Sequence, residues 1–332
     1  MTAAQLFPTE TGSSLQAKRR LTQGGFFILF VLAPVFDLFR LDLDLGHFIL
    51  LGYNWTLGLD ALLAREITPL QAGLNIFLRG FLPIAALVGT VIFVAWKYGR
   101  LYCGWLCPHF SIVETLNQLM RRAIGKHSVW DRETLPEQDK GAAPVKRNRA
   151  WLLVLLPLAL AFSFVWATAL LTYLLPPTEI YANLWHATLT RNQALFIGIG
   201  TLLFFLEFTL ARHLFCRFGC AVGLFQSLAW MANRKAMVVS FERERASACQ
   251  DCTNACDNAC PMRLKPRTIK RHMFSCTQCV SCISACGDAQ AGSPQGSLLH
   301  WTAGEAALDK SDRPQSRHAK SPRSVIPIVN LR

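Results

Sequence analysis

Four apolar stretches constrain this chain more than anything else in it: about 24–41, 78–96, 151–175 and 193–214. Crossing a bilayer takes about 17–25 residues. Inside hydrocarbon every backbone N–H and C=O must find a partner within the protein, so runs of this length are read as helices. The third stretch carries no charge, whereas the first is short and holds Asp37 near its far end. Only 17% of the 332 residues are charged, against about 25% in soluble domains. Lys18, Arg19 and Arg20 precede the first stretch, but Pro34-Val35-Phe36-Asp37 is a poor cleavage site, so an uncleaved signal anchor is expected.

The basic residues give these spans a direction. Three Lys/Arg precede the first, ten lie in 97–150 and seventeen follow from Arg212 onward, while the other connections hold only Arg40, Arg65, Arg79 and Arg191. Positive charge concentrates on the cytoplasmic side. Both termini and the middle loop are therefore expected in the cytoplasm, with the chain multi-pass in the membrane. The net charge of +13 follows from this layout and makes no case for nucleic acid.

The chain also repeats. Tyr102-Cys-Gly-Trp-Leu-Cys107 aligns with Phe215-Cys-Arg-Phe-Gly-Cys220, and Arg121-Arg122 with Arg234-Lys235. Each copy follows a pair of spans, which suggests two repeated hairpins with approximate symmetry. After the first copy, apolar residues at 112, 113, 116, 119, 120 and 123 have helix spacing. That helix is read either along the inner membrane surface or packed on its neighbours. Residues 130–149 read as a polar linker.

Twelve cysteines fall into three groups and nowhere else. The last holds eight: Cys249-x2-Cys252-x3-Cys256-x3-Cys260-Pro261, then Cys276-x2-Cys279-x2-Cys282-x3-Cys286. The bacterial ferredoxin run is C-x2-C-x2-C-x3-C-P, with the fourth thiolate serving the other cluster. By that rule Cys249, Cys252, Cys256 and Cys286 hold one [4Fe–4S] cluster, and Cys276, Cys279, Cys282 and Cys260 the other. The first run carries one extra residue before Cys256, and Gly287 rather than Pro follows Cys286. Zinc is the competing reading, but three ligands in one short loop suit a cubane better than a tetrahedral ion.

Cys103/Cys107 and Cys216/Cys220 are spaced i, i+4 at the cytoplasmic ends of spans. If the halves pack symmetrically, four thiols converge on one redox or soft-metal site. Copper(I), zinc, an iron–sulfur centre and a dithiol–disulfide pair all suit thiols; the bland alternative is small buried side chains. His109 and His213 are candidate secondary ligands or plain polar anchors. Glu207 lies in the fourth span, where a carboxylate is costly and a functional candidate: a proton relay or quinone contact, or a partner for Arg212 or His213.

The expected fold is mainly α: a polytopic membrane protein with four transmembrane helices in two repeated hairpins, plus a C-terminal bacterial dicluster ferredoxin-like segment. Its divisions are 1–23, a cytoplasmic N-terminal segment; 24–240, the transmembrane domain; 241–300, the ferredoxin-like domain; and 301–332, a basic disordered tail.

Gly99-Arg100-Leu-Tyr-Cys-Gly-Trp-Leu-Cys-Pro108 resembles the first membrane motif of the polyferredoxins, which include the CcoG/FixG (RdxA) accessory proteins of cbb-type cytochrome oxidase and the NapH-type quinol-dehydrogenase subunits. Arg212-His-Leu-Phe-Cys-Arg-Phe-Gly-Cys220, followed by Phe225-Gln226, resembles the second motif of the CcoG group, with Ala221 where that family carries Pro. The resemblance implies a bacterial inner-membrane protein moving single electrons at the cytoplasmic face, with membrane lipid and a redox protein or quinone as partners. For CcoG-like members it implies reduction of copper for oxidase assembly. The function expected is thus a membrane electron carrier or small reductase; the alternatives are a quinol-linked subunit of a larger dehydrogenase and a copper chaperone or sensor.

Overall fold

The structure, a computed structural model, describes residues 12–311. It is mainly helical. Three helices are long and apolar enough to cross a membrane: α2 (Pro69–Tyr98), α5 (Arg149–Thr172) and α6 (Arg191–Ala211). Thr68 and Thr190 start α2 and α6 with capping boxes, each hydroxyl accepting from the backbone of Gln71 or Gln193. These helices leave large apolar side chains such as Leu87, Phe93, Leu153, Leu202 and Leu203 exposed. A patch of that extent on a water-facing surface would drive association; hydrocarbon is its natural solvent.

The first expected span is not one helix. α1 runs from Gly12 to Leu32, crossing the expected boundary at 23. Pro34 disfavours helix at the residue before it, Asp37 takes a left-handed φ of 50°, and the chain enters strand β1 (Phe39–Asp42). β1 pairs antiparallel with β2 (His47–Leu50), and β2 with β3 (Tyr53–Trp55). The backbone N–H groups of Leu41 and Leu43 donate to the Tyr173 and Leu174 carbonyls, fixing this sheet to the end of α5. Tyr173 Oη donates to Phe30 O, so α1 reaches that same end.

The cysteines occupy the opposite end. α2 leads through Gly99 into α3 (Leu101–Trp105) and α4 (Pro108–Ile124). The apolar face of α4 is not laid on lipid: Phe110, Val113, Leu116 and Met120 are buried in one core with Trp230, Met262, Met273 and Leu298. α6 leads through a π-helical segment, Phe215–Gly219, into α7 (Ala221–Ala232). α8 (Ser281–Ala289) belongs to the ferredoxin-like segment.

Two further expectations change. Residues 130–149 are not a loose linker, because buried Asp139 accepts from Arg121 Nη2 and Asn258 Nδ2, both at 2.7 Å, and from Thr253 Oγ1 at 3.1 Å. The expected tail begins too early. β4 (Val238–Phe241) pairs antiparallel with β5 (Leu299–Thr302), and α9 (Glu305–Ser311) follows with Ala307 fully buried. The remainder of that tail, 312–332, lies outside the described residues.

Candidate iron–sulfur centre

The ferredoxin-like segment gathers its eight cysteines around two separate hollows. One is lined by Cys260, Cys276, Cys279 and Cys282 with Val239, Met262 and Met273. The other is lined by Cys249, Cys252, Cys256 and Cys286 with Phe241 and Leu299. Each hollow takes three thiols from one run and one from the other. The extra residue before Cys256 is absorbed at Asn254, whose φ of 60° turns the loop so that Cys256 still faces Cys286. Among the described residues no group of three His, Cys, Asp or Glu side chains is placed to hold a single metal ion.

The loops offer backbone N–H groups to these sulfurs. Leu264 N donates to Cys260 Sγ and Leu298 N to Cys286 Sγ, each at 3.4 Å. Gln278 and Val280 both have φ of 54°, alternating with ordinary backbone through Cys276–Cys282. Successive left- and right-handed residues turn amides inward and make a nest for an anion. Burial pushes the Cys256 and Cys276 thiols up to about 12. Such thiols stay protonated alone, whereas a coordinating thiol is deprotonated by its metal, so loading releases protons. The donor set therefore fits iron–sulfur clusters.

The two membrane-edge pairs also come together. Cys103 and Cys107 stand within electrostatic reach of each other and of both Cys216 and Cys220. Cys103 and Cys216 are buried. Both stretches have the same local build. Each helix ends on a residue of positive φ and negative ψ, Gly99 (73°, −148°) and Arg212 (41°, −113°). Each second cysteine is the N-cap of the next helix, Cys107 of α4 and Cys220 of α7. Pro108 and Ala221 are then both first helical residues, a position that favours Pro without requiring it. A non-glycine residue at φ of 41° is strained, and Arg212 is held there by buried bonds to the carbonyls of Phe208 and His127.

The copies interlock. Arg100 Nη2 donates to Cys216 O at 2.7 Å, and Cys103 Sγ lies 3.6 Å from Gln226 Oε1. His109 reaches the other way, with Nδ1 3.6 Å from Cys216 Sγ and Nε2 2.8 Å from Glu207 Oε2. Glu207 thus pairs with His109 rather than with the expected Arg212 or His213. His213 is buried, with Nδ1 unpartnered among the described residues, and no bond joins it to a cysteine sulfur.

The membrane edge also meets the ferredoxin-like segment. A Cβ on Gly104 would collide with the Thr277 carbonyl oxygen and lie 3.3 Å from Cys279 Cα. Trp105 Nε1 donates to Gln278 O at 3.0 Å, and Gln16 Nε2 to Cys279 O at 3.1 Å. α1 is clamped to this joint by Arg19, which pairs with Glu114 and donates to Gly104 O.

A family model described as a 4Fe-4S binding domain matches residues 80–127 and again 192–236. Each match encloses one membrane-edge cysteine pair. NapH of Haemophilus influenzae, described as a ferredoxin-type protein, is 24% identical over 285 residues, covering 81% of this chain and 86% of that one. The chain is thus similar to polyferredoxin-type proteins. YccM of Escherichia coli, whose name describes electron transport, is 22% identical over 212 residues, 64% of this chain; the match spans 53% of YccM, about half its length. An uncharacterized protein of Methanocaldococcus jannaschii is 28% identical over 207 residues, 61% of this chain and 75% of that one. No solved structure matches.

Arg100, Gly104 and Gln226 stand in the two motifs quoted from the sequence, but their contacts with Cys216, Thr277 and Cys103 arise only through the packing of distant segments. Gly104, between Cys103 and Trp105, carried a signal of its own, since glycine beside a cysteine marks close backbone approach.

Proposed function

We propose that this chain is a membrane-bound electron-transfer protein that holds two [4Fe–4S] clusters at the cytoplasmic face of the inner membrane. One cluster is held by Cys260, Cys276, Cys279 and Cys282, the other by Cys249, Cys252, Cys256 and Cys286. The observation that carries this reading is the pair of hollows, each lined by three thiols of one run and one of the other. Clusters of this type supply one-electron chemistry; the chain encloses them in a dry core, directs amides at their sulfurs and fixes their place beside the membrane edge. Cys256 and Cys282 lie within electrostatic reach, which suits exchange between the two sites.

α2, α5 and α6 cross the bilayer, and the apolar part of α1, packed through Phe27 on Phe162 and Phe30 on Trp166, makes a fourth crossing. The sheet β1–β3 lies on the far side. Cys103, Cys107, Cys216 and Cys220 form a redox or soft-metal site between the clusters and the bilayer. The acceptor is a redox partner at the cytoplasmic face; the specific form of this proposal, from the CcoG resemblance, is copper(II), tested by cuprous-chelator assays with reduced protein.

A second reading, a quinol-linked subunit of a larger dehydrogenase, is favoured by one cavity of about 340 Å³ between α1, α4 and α5. It is lined by polar Gln23, Glu114 and Gln118 and by apolar Phe27 and Phe162. Pockets for small ligands have about this size or more. Reduction of the clusters by added quinol in membranes would select this reading, and its absence the first.

The test of the cluster assignment is EPR on anaerobically purified, reduced full-length protein. Cys282→Ser is expected to remove one [4Fe–4S] signal and Cys256→Ser the other. Loss of the same signal in both variants would overturn it.

A further inference from the structure

We infer that an acidic electron-carrier protein docks over a polar groove along β4 and takes its electron from the cluster held by Cys249, Cys252, Cys256 and Cys286. This rests on the electron-transfer reading above and says which surface and which partner chemistry serve it.

The place of the groove comes first. It has a volume of about 250 Å³ and is lined by all four residues of β4, by Arg267, Thr268 and Lys270, and by Asp309 and Lys310 of α9. It adjoins both cluster hollows. Val239 lines the groove and the hollow of Cys260, while Phe241 and Arg267 line the groove and the hollow of Cys249. Arg267 Nη2 donates to Asn254 Oδ1 at 2.8 Å and to Asp257 Oδ2 at 3.0 Å, on either side of Cys256. The two hollows differ in what covers them. The Cys276–Cys282 loop is closed off by Gly104, Trp105 and Gln16. Cys249 and Cys252 are only half-buried, and Gln250 and Asp251 between them are exposed. The first hollow therefore faces the membrane edge and the second faces the groove and solvent.

Charge indicates the partner. The stretch 263–272 carries Arg263, Lys265, Arg267, Lys270 and Arg271 and no acid. Inside the groove the cations are already committed: Arg245 to Glu242, Arg267 to Asp257, and Lys270 Nζ to the Trp230 carbonyl. The walls are thus no cradle for a small anion. The exposed cations Arg243 and Lys310 at the rim, with Lys265 and Arg271 beyond it, make no ion pair among the described residues. Exposed Glu244 and Asp309 oppose them at the rim, which leaves the face net positive. Cations spread over a rim suit a broad acidic surface, and such complementarity sets encounter rate and partner choice more than affinity. No large apolar side chain lining the groove is exposed. That fits the small, short-lived encounters of electron-transfer proteins.

The test uses the full-length protein, reduced beforehand, in neutral detergent, with oxidised flavodoxin, an acidic flavoprotein, as the acceptor. One electron leaves the cluster; the flavin gains it, takes a proton from water and becomes the semiquinone, read by its absorbance. Oxidised lumiflavin, an uncharged flavin without a protein surface, is the reference acceptor. At low salt Arg243→Glu/Lys310→Glu is expected to lower the second-order rate to flavodoxin about tenfold or more, within the range that steering supplies, and to leave the rate to lumiflavin unchanged. At about 1 M salt, where the Debye length is about 3 Å, the difference is expected to vanish. Lys146→Glu/Arg149→Glu makes the same change of charge at exposed residues outside the groove and is expected to have no such effect. An equal loss with lumiflavin, an equal loss in the control variant or no loss at all would overturn the docking surface. So would a loss confined to bilayers of anionic lipid, which would make this face a lipid contact. Reduced protein that passes electrons to neither flavin would overturn the electron-transfer reading itself.

Discussion

Replacing Gly104 with alanine strikes the joint between the membrane-edge motif and the cluster loop. The new Cβ would meet the Thr277 carbonyl oxygen and crowd Cys279 Cα at 3.3 Å. Both are backbone atoms of a loop already fixed by Trp105 and Gln16, so neither can yield by a side-chain rotation. Forcing a methyl into such a contact costs about 1–3 kcal/mol. At 1.4 kcal/mol per tenfold change, that is about a 5- to 150-fold rise in the fraction of molecules whose 276–280 loop is released. The assay is backbone hydrogen exchange over 276–280, with EPR of the cluster held by Cys260, Cys276, Cys279 and Cys282 alongside it. Faster exchange and a perturbed signal from that cluster are expected, with the other cluster unchanged. Gly24→Ala is the control, since nothing lies within 4 Å of the position its Cβ would take. If Gly104→Ala exchanges no faster than the control, the close packing argued here is refuted.

Other perturbations follow from single contacts. Arg19→Met leaves Glu114 buried without its partner; breaking such a pair costs about 3–5 kcal/mol, to be read as a lower unfolding midpoint in detergent. Burial lowers the His127 imidazole to about 3. The unfolded chain therefore takes up that proton first, so stability falls as pH drops below about 6.5, by up to about 1.4 kcal/mol per pH unit. His127→Leu is expected to remove that part of the slope between pH 5 and 6.5. Ala221→Pro should be tolerated or stabilise by up to about 1 kcal/mol, because the first helical position suits Pro and Cys220 already has the extended backbone that Pro requires before it.

Much of this architecture was legible in the residues, and the exceptions have identifiable causes. The spans at 78–96, 151–175 and 193–214 fall within or beside α2, α5 and α6, because length and apolarity suffice to define a helix in hydrocarbon. The first span was misread because hydropathy does not register Pro34 or the strand propensity of 39–50. The tail begins later than composition suggests because β5 is ordered by pairing with β4 and not by its own residues. At the site, cysteine spacing located every thiol. It did not reveal Arg100 on the Cys216 carbonyl, Gln226 beside Cys103 or His109 between Cys216 and Glu207, since these contacts join residues about a hundred positions apart.

A potential-controlled titration of the full-length protein, followed by low-temperature EPR, tests the central claim most directly. The account predicts reversible one-electron signals of at least two [4Fe–4S] centres, broadened by mutual coupling because the two ferredoxin-segment sites adjoin. A protein carrying stoichiometric zinc, with no such signal at any applied potential, would contradict it.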